Sequence, residues 1–369
     1  MINMKKIREN TLLLIKISAA VLVTVFCLTE TDMVKTAVYD SVMKCLTVVI
    51  PSLYGMMILS GFLVKSGIIG RFPRILTKPG KAIFGMDGSI FPIFLFSLFA
   101  GYPVGAKMLS AEAEQGHVSR HDAELLSGVC FGAGPAFIFG CISSQLYGSH
   151  TAGRIILVST IAANLLIALV LSFRLRRNAA PPLKKEKLNI SADVLTESIL
   201  SGGRSMADIC IMIAAFSVLT AFLSSTGVLG YVAELISTLS GFSSETAEGL
   251  LYAFLDVTAV NKLPENNYKL LPAVCGLASF GGVCVIMQIA ALASGKLSVR
   301  PLIFLRLTAA VISGFICRLI MPFMLSDETV AASELSFSLH QADSPVPSFL
   351  LIIMTVILFG EYEKLGKNE

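Results

Sequence analysis

The sequence predicts an all-α protein that crosses a membrane several times and is built as an inverted repeat of two halves. Three observations carry that reading. Hydrophobic residues make up 54% of the 369 residues and charged residues 15%, against roughly 25% charged in soluble domains; the mean hydropathy is +0.77. Apolar runs recur that are long enough for a hydrocarbon core of about 30 Å, which needs about 20 helical residues. A basic stretch from Arg174 to Lys187 divides the chain into two apolar halves that resemble each other.

The apolar segments are 11–29, 40–64, 89–106, 124–146, 151–173, 203–225, 246–260, 269–293, 299–323 and 346–360. Segment 11–29 follows Lys5, Lys6 and Arg8 but is not followed by a small-x-small cleavage site, so residues 1–37 read as an uncleaved signal-anchor helix. Three short matches recur in the same order: Ser66–Gly70 with Thr226–Gly230, Leu126–Cys130 with Leu271–Cys275, and Gly153–Leu157 with Val299–Ile303. Ordered self-similarity of this kind points to a duplication. The repeats are assigned to 38–173 and 191–323, joined by a cytoplasmic linker 174–190. Residues 324–369 form an extracytoplasmic loop and a last helix.

Loop charges set the topology, because Lys and Arg collect on the cytoplasmic side. Lys5, Lys6 and Arg8 place the N-terminus inside, and 40–64 returns to Lys65, Arg71, Arg74, Lys78 and Lys81. The basic linker stays inside only if one of the next three segments enters and leaves on the same face. Segment 89–106 is the choice, since it runs into Gly101-Tyr-Pro103-Val-Gly105-Ala-Lys107, where Gly and Pro break a helix. In the second half 246–260 does the same, while 226–245 and 324–345 lack Lys and Arg, as external loops should. Each half then crosses three times, an odd number that inverts the second. The plan is about eight crossings plus two re-entrant hairpins, with both termini cytoplasmic, and inverted repeats are common in secondary transporters.

The charge of +4 is small and lies in loops, which excludes a nucleic-acid binder. No H-E-x-x-H or G-x-S-x-G motif occurs, and Asp256 has no second intramembrane Asp to pair with, so no catalytic residues are assigned. The eight cysteines form no C-x-x-C pair. His117 and His121 lie in a polar stretch and read as a solvated helix face. No metal and no cofactor are expected. The partners are the lipid bilayer, a small-molecule anion and a coupling ion, proton or sodium; a homo-oligomer is compatible with the sequence.

Breaks inside a membrane are tolerated where protein or a polar cavity satisfies the freed backbone groups. Pro103 and Pro135 each suit the first position of a new helical segment, and helix N-termini carry about +0.5 charge and hold anions. The second half has its own breaks, at Asp256-Val-Thr258-Ala-Val-Asn261-Lys262 and at Ser279-Phe-Gly281-Gly282, with Gln288 following. An acid at membrane depth usually faces a cavity or a partner. Asp256 thus reads as a coupling group, a partner of Lys107 or Lys262, or a helix cap. Arg306 and Arg318 could attract an anion, but snorkelling to opposite faces is the favoured expectation.

At these motifs the chain resembles the nucleoside-recognition (Gate-domain) membrane proteins, most closely their sporulation integral membrane protein branch. The resemblance is carried by Ser97 to Leu109, Cys130 to Phe139, Leu255 to Thr258, and Ser279 to Gly282 with Gln288. It implies dipicolinic acid passing from mother cell to forespore, across the outer forespore membrane of an endospore-forming bacterium. The chain departs from the pattern at Phe131, where a polar residue is expected, and at Asp256, where Glu is expected. The candidate substrate-binding residues are Gly101, Tyr102, Pro103, Gly105, Lys107, Gly132, Gly134, Pro135, Asp256, Thr258, Asn261, Ser279, Gly281, Gly282 and Gln288.

Overall fold

The computed structural model describes residues 2–71, 74–86, 90–175, 188–293 and 297–325, and among these every regular element is a helix. Most of the basic linker, the loop 326–345 and the segment 346–360 lie outside the described residues, as does Lys296. The helices are α1 (Ile2–Thr29), α2 (Thr31–Lys65), α3 (Arg74–Phe84), α4 (Ile90–Ala100), α5 (Val104–Glu114) and α6 (Arg120–Ser127). Next comes α7, which starts as Pro135–Phe137 and runs on as the π-helix Ile138–Tyr147, followed by α8 (His150–Leu175). The second half holds α9 (Ala192–Ser225), α10 (Val228–Ser240), α11 (Ser244–Leu255), α12 (Leu271–Phe280), α13 (Gly282–Leu292) and α14 (Val299–Leu325). Five stretches among the described residues are long and apolar enough to cross a bilayer: Thr31–Lys65, His150–Phe173, Ala192–Ser225, Tyr268–Leu292 and Val299–Leu325.

The element order is similar in the two halves: a long helix, an amphipathic helix, a short helix that breaks, a broken span and a long helix; the first half returns from its hairpin through α5, the second through the 3-10 helix Val257–Lys262. The first long helices end alike. Ser66 N and Thr226 N donate to Phe62 O and Phe222 O, and Gly67 N and Gly227 N donate to Val64 O and Ser224 O. Gly67 and Gly227 both take left-handed φ, 71° and 74°, a helix stop that glycine adopts without a steric penalty. The match of Leu126–Cys130 with Leu271–Cys275 is looser, because Cys130 stands at a break whereas Cys275 lies inside α12.

Segment 124–146 is not one kinked span. Helices α6 and α7 are separated by a non-helical stretch, 128–134. The two short elements are hairpins: a Cβ on Gly105 would lie 2.6 Å from Ser97 Cβ, and one on Gly249 would lie 3.0 Å from Lys262 O, so each chain doubles back. Helix α4 has 11 residues and α11 has 12, about 16–18 Å at 1.5 Å per residue, roughly half the hydrocarbon core.

Small residues let the long helices approach closely. Gly61 and Gly202 join α2 to α9, against Ser198 and Ile58. Gly276 and Gly314 join α12 to α14, against Ala310 O and Pro272 O. A π-turn at Cys45–Val49 precedes Pro51, whose missing N–H cannot continue the α ladder. The outer faces stay apolar. Phe304, Leu307, Val311, Phe315, Leu319 and Phe323 recur along α14 at intervals of three or four residues and are exposed, a stripe that a lipid environment satisfies and water does not. The protein is a polytopic helical membrane protein in contact with lipid.

Candidate functional site

Four breaks meet in the interior. In the first half Gly101 (φ 81°) lies against Gly134: a Cβ on Gly134 would meet Gly101 Cα and N at 3.2 Å. Tyr102 N donates to Gly132 O at 2.7 Å, tying the hairpin tip to the unwound stretch. In the second half Gly281 and Gly282 both take left-handed φ, 86° and 84°. A Cβ on Gly282 would lie 2.9 Å from Val257 N, beside the hairpin break, and one on Gly281 would strike the Phe131 ring at 2.6 Å. The Phe131 ring also packs on Tyr102, with centroids 4.9 Å apart, which brings the two halves together.

Between these breaks is a cavity lined by Val49, Ser52, Leu53, Gly101, Tyr102, Gly134, Phe137, Ile209, Ile213, Asp256, Val257, Thr258, Val285 and Gln288. Its space is about 40 Å³, room for a few waters and too little for a ring-sized solute. Asp256 is the acidic residue among this lining. It caps the 3-10 helix Val257–Lys262: Oδ1 accepts from Thr258 N at 3.0 Å and Oδ2 from Thr258 Oγ1 at 2.7 Å. Of the three readings of Asp256, the cap is what the geometry shows. Neither Lys107 nor Lys262 is its neighbour. Lys262 lies 3.5 Å above the Tyr252 ring, and Lys107 Nζ donates to Ser201 O at 3.5 Å. The cation at this spot is Lys44, whose Nζ is 3.4 Å from both Thr258 O and Thr258 Oγ1. Gln288 is buried and its Nε2 donates to Cys284 Sγ at 3.4 Å.

Of the predicted residues, Gly101, Tyr102, Gly134, Asp256, Thr258 and Gln288 line the cavity. Gly132, Gly281 and Gly282 hold the breaks together from behind. Gly105 serves the hairpin and the unwound stretch, since a Cβ there would fall 2.1 Å from Cys130 O. Pro103 is the residue before α5 rather than its first residue, whereas Pro135 does open α7. Asn261 is exposed at the far end of its turn and is outside the lining. Lys107 is also outside it, because the return arm of the hairpin carries it toward α9. Ser279 contributes its carbonyl, not its hydroxyl.

That carbonyl belongs to a feature the sequence did not reveal. Arg306 is 0% exposed, which corrects the snorkelling expectation for this residue; Arg318 is exposed. Arg306 Nη1 donates to Phe131 O at 3.4 Å and to Ser279 O at 3.3 Å, and Nη2 donates to Asn164 Oδ1 at 2.9 Å. Asn164 Nδ2 in turn donates to Phe131 O at 2.6 Å. The His117–His121 spacing holds no metal cluster among the described residues; His117 Nδ1 lies 3.1 Å from Glu112 Oε2.

Among curated proteins, the chain is similar to the sporulation integral membrane protein YlbJ of Bacillus subtilis (strain 168), 26% identical over 275 residues and covering 67% of each chain. The chain is a relative of that membrane protein. The similarity bears out the expected likeness to a sporulation integral membrane protein. No protein-family model matches the chain, and no solved structure matches it.

Proposed function

We propose that the chain is a transporter for a small organic anion in sporulation, with dipicolinic acid, moved from mother cell to forespore, as the first candidate. The relative is a sporulation integral membrane protein, which supports a membrane role in that process; the outer forespore membrane is the location that this reading gives the chain. The observation that carries the transport reading is the convergence of three helix breaks, from both halves, on one interior cavity, with the fourth packed behind them, an arrangement that lets backbone groups at membrane depth face a solute. In this reading the two hairpins enter from opposite faces, and α5 and α7 point their positive N-terminal ends toward the solute. Lys44 supplies a side-chain charge beside Thr258. The lining is largely apolar with a few polar groups, which suits a flat heterocycle. No covalent step is assigned. A cavity of this size requires the breaks to part for a ring-sized solute to bind.

Uptake of dipicolinate by vesicles containing the purified protein tests this directly: accumulation above empty vesicles is expected, and its absence contradicts the reading. Asp256 favours a second reading, a nucleoside or similar neutral solute, since an acidic group accepts hydrogen bonds from such a solute and repels an anion. Competition of nucleosides with dipicolinate in the same vesicles separates the two.

A further inference from the structure

We infer that the two broken spans form a cation cradle and that Arg306 fills it from within the protein. Arg306 lies in the first third of α14 with no exposure, and no carboxylate is within ion-pair distance of it among the described residues. A charge so placed is costly unless other groups offset it. Its partners are neutral dipoles: the carbonyl of Phe131 in the unwound stretch, the carbonyl of Ser279 in the last turn of α12, and the amide oxygen of Asn164. Below it is the face of the Phe131 ring, 4.8 Å from Arg306 Cζ, which attracts a cation. Carbonyls near a helix C-terminus carry about −0.5 charge.

Unwound carbonyls and half-helix C-terminal ends are the groups that hold Na⁺ in discontinuous membrane helices. Here the same set of groups converges on a side chain of the chain itself. The planar fork of arginine suits the task, because Nη1 bridges Phe131 O in the first half and Ser279 O in the second while Nη2 reaches Asn164; Nε is buried without a partner. The side chain is covalently part of α14 and cannot dissociate from it, so this brace is permanent. A coupling ion, if the transport cycle uses one, must bind elsewhere. The inference about the cradle does not depend on what the protein transports.

Chemical rescue tests it without a substrate. Purified Arg306→Ala should lose thermal stability on the order of 10 °C, and guanidinium at tens of millimolar, or an alkali cation, should restore most of the loss at constant ionic strength. Arg306→Met fills the space with a neutral side chain, so it should lose stability and gain nothing from guanidinium. Asn164→Ala keeps the cradle occupied and should show a smaller loss with no response. The proposal is overturned if Arg306→Met is as stable as the unaltered chain, or if Arg306→Ala responds to no small cation. Failure of both Arg306 variants to accumulate even with guanidinium present throughout growth and purification would overturn it as well.

Discussion

In the first half the breaks meet backbone to backbone, with Gly101 against Gly134 and Tyr102 N bonded to Gly132 O. In the second half a side-chain-bearing turn, Asp256 to Thr258, meets the Gly281–Gly282 break of the neighbouring span. The first crossing contributes close approach and no acidic or basic group to the cavity. The second contributes the acid, the hydroxyl and, through Thr258, the contact with Lys44. One half sets the shape of the site and the other most of its chemistry, so steric changes should harm the first crossing and chemical changes the second.

The largest effect is expected for Gly105→Ala. Its Cβ would sit 2.1 Å from Cys130 O, which forces backbone to move and should cost about 3 kcal/mol or more. Loss of monodisperse protein in size-exclusion chromatography reads it, and a stable, monodisperse variant would show that close approach is not what this crossing requires. Asp256→Asn comes next. Asn caps helices about as well as Asp, so melting should stay within about 1 kcal/mol of the unaltered chain; uptake should fall roughly tenfold, equivalent to about 1.4 kcal/mol, because Asn cannot act as the proton or sodium coupling group that Asp256 reads as. Asp256→Ala should lose the cap as well. Equal uptake by Asp256→Asn would reduce this residue to a capping role.

Lys44→Ala should lower uptake several-fold, and more than Lys107→Ala, because Lys44 touches Thr258 whereas Lys107 touches Ser201 O. The reverse order would move the working cation to the other rim. The smallest effect belongs to Asn261→Ala: an exposed position at the end of a turn should change stability by less than about 0.5 kcal/mol and leave uptake unaltered.

The breaks were legible in the sequence because glycine and proline mark them locally: Gly101 and Pro103, Gly134 and Pro135, Gly281 and Gly282 all lie where helices stop or start. The paired helix stops at Gly67 and Gly227 were legible for the same reason. What pairs across the fold was not. Lys44 reaches Thr258 only because α2 packs beside the second hairpin, and Asn164 is one of several polar residues in a long apolar helix. Arg306 has the spacing of a snorkelling side chain, and its burial follows from carbonyls that two distant breaks leave free. Phe131 looked like a departure from a polar pattern, but its ring fills the space above Gly281 and beneath Arg306. Asn261 was misplaced because its neighbours in sequence, Thr258 and Val260, are buried while the turn carries it outward.

The central claim is that the breaks of both halves enclose one solute site. Single cysteines at Ser52, Val257 and Gln288, introduced into a chain with its eight native cysteines replaced, test it most directly with a membrane-impermeant thiol reagent in vesicles. All three should react, dipicolinate should protect all three, and a cysteine at the outward-facing Val311 should stay inert with or without it. Unreactive cavity positions, or reactivity that no solute diminishes, would contradict the account.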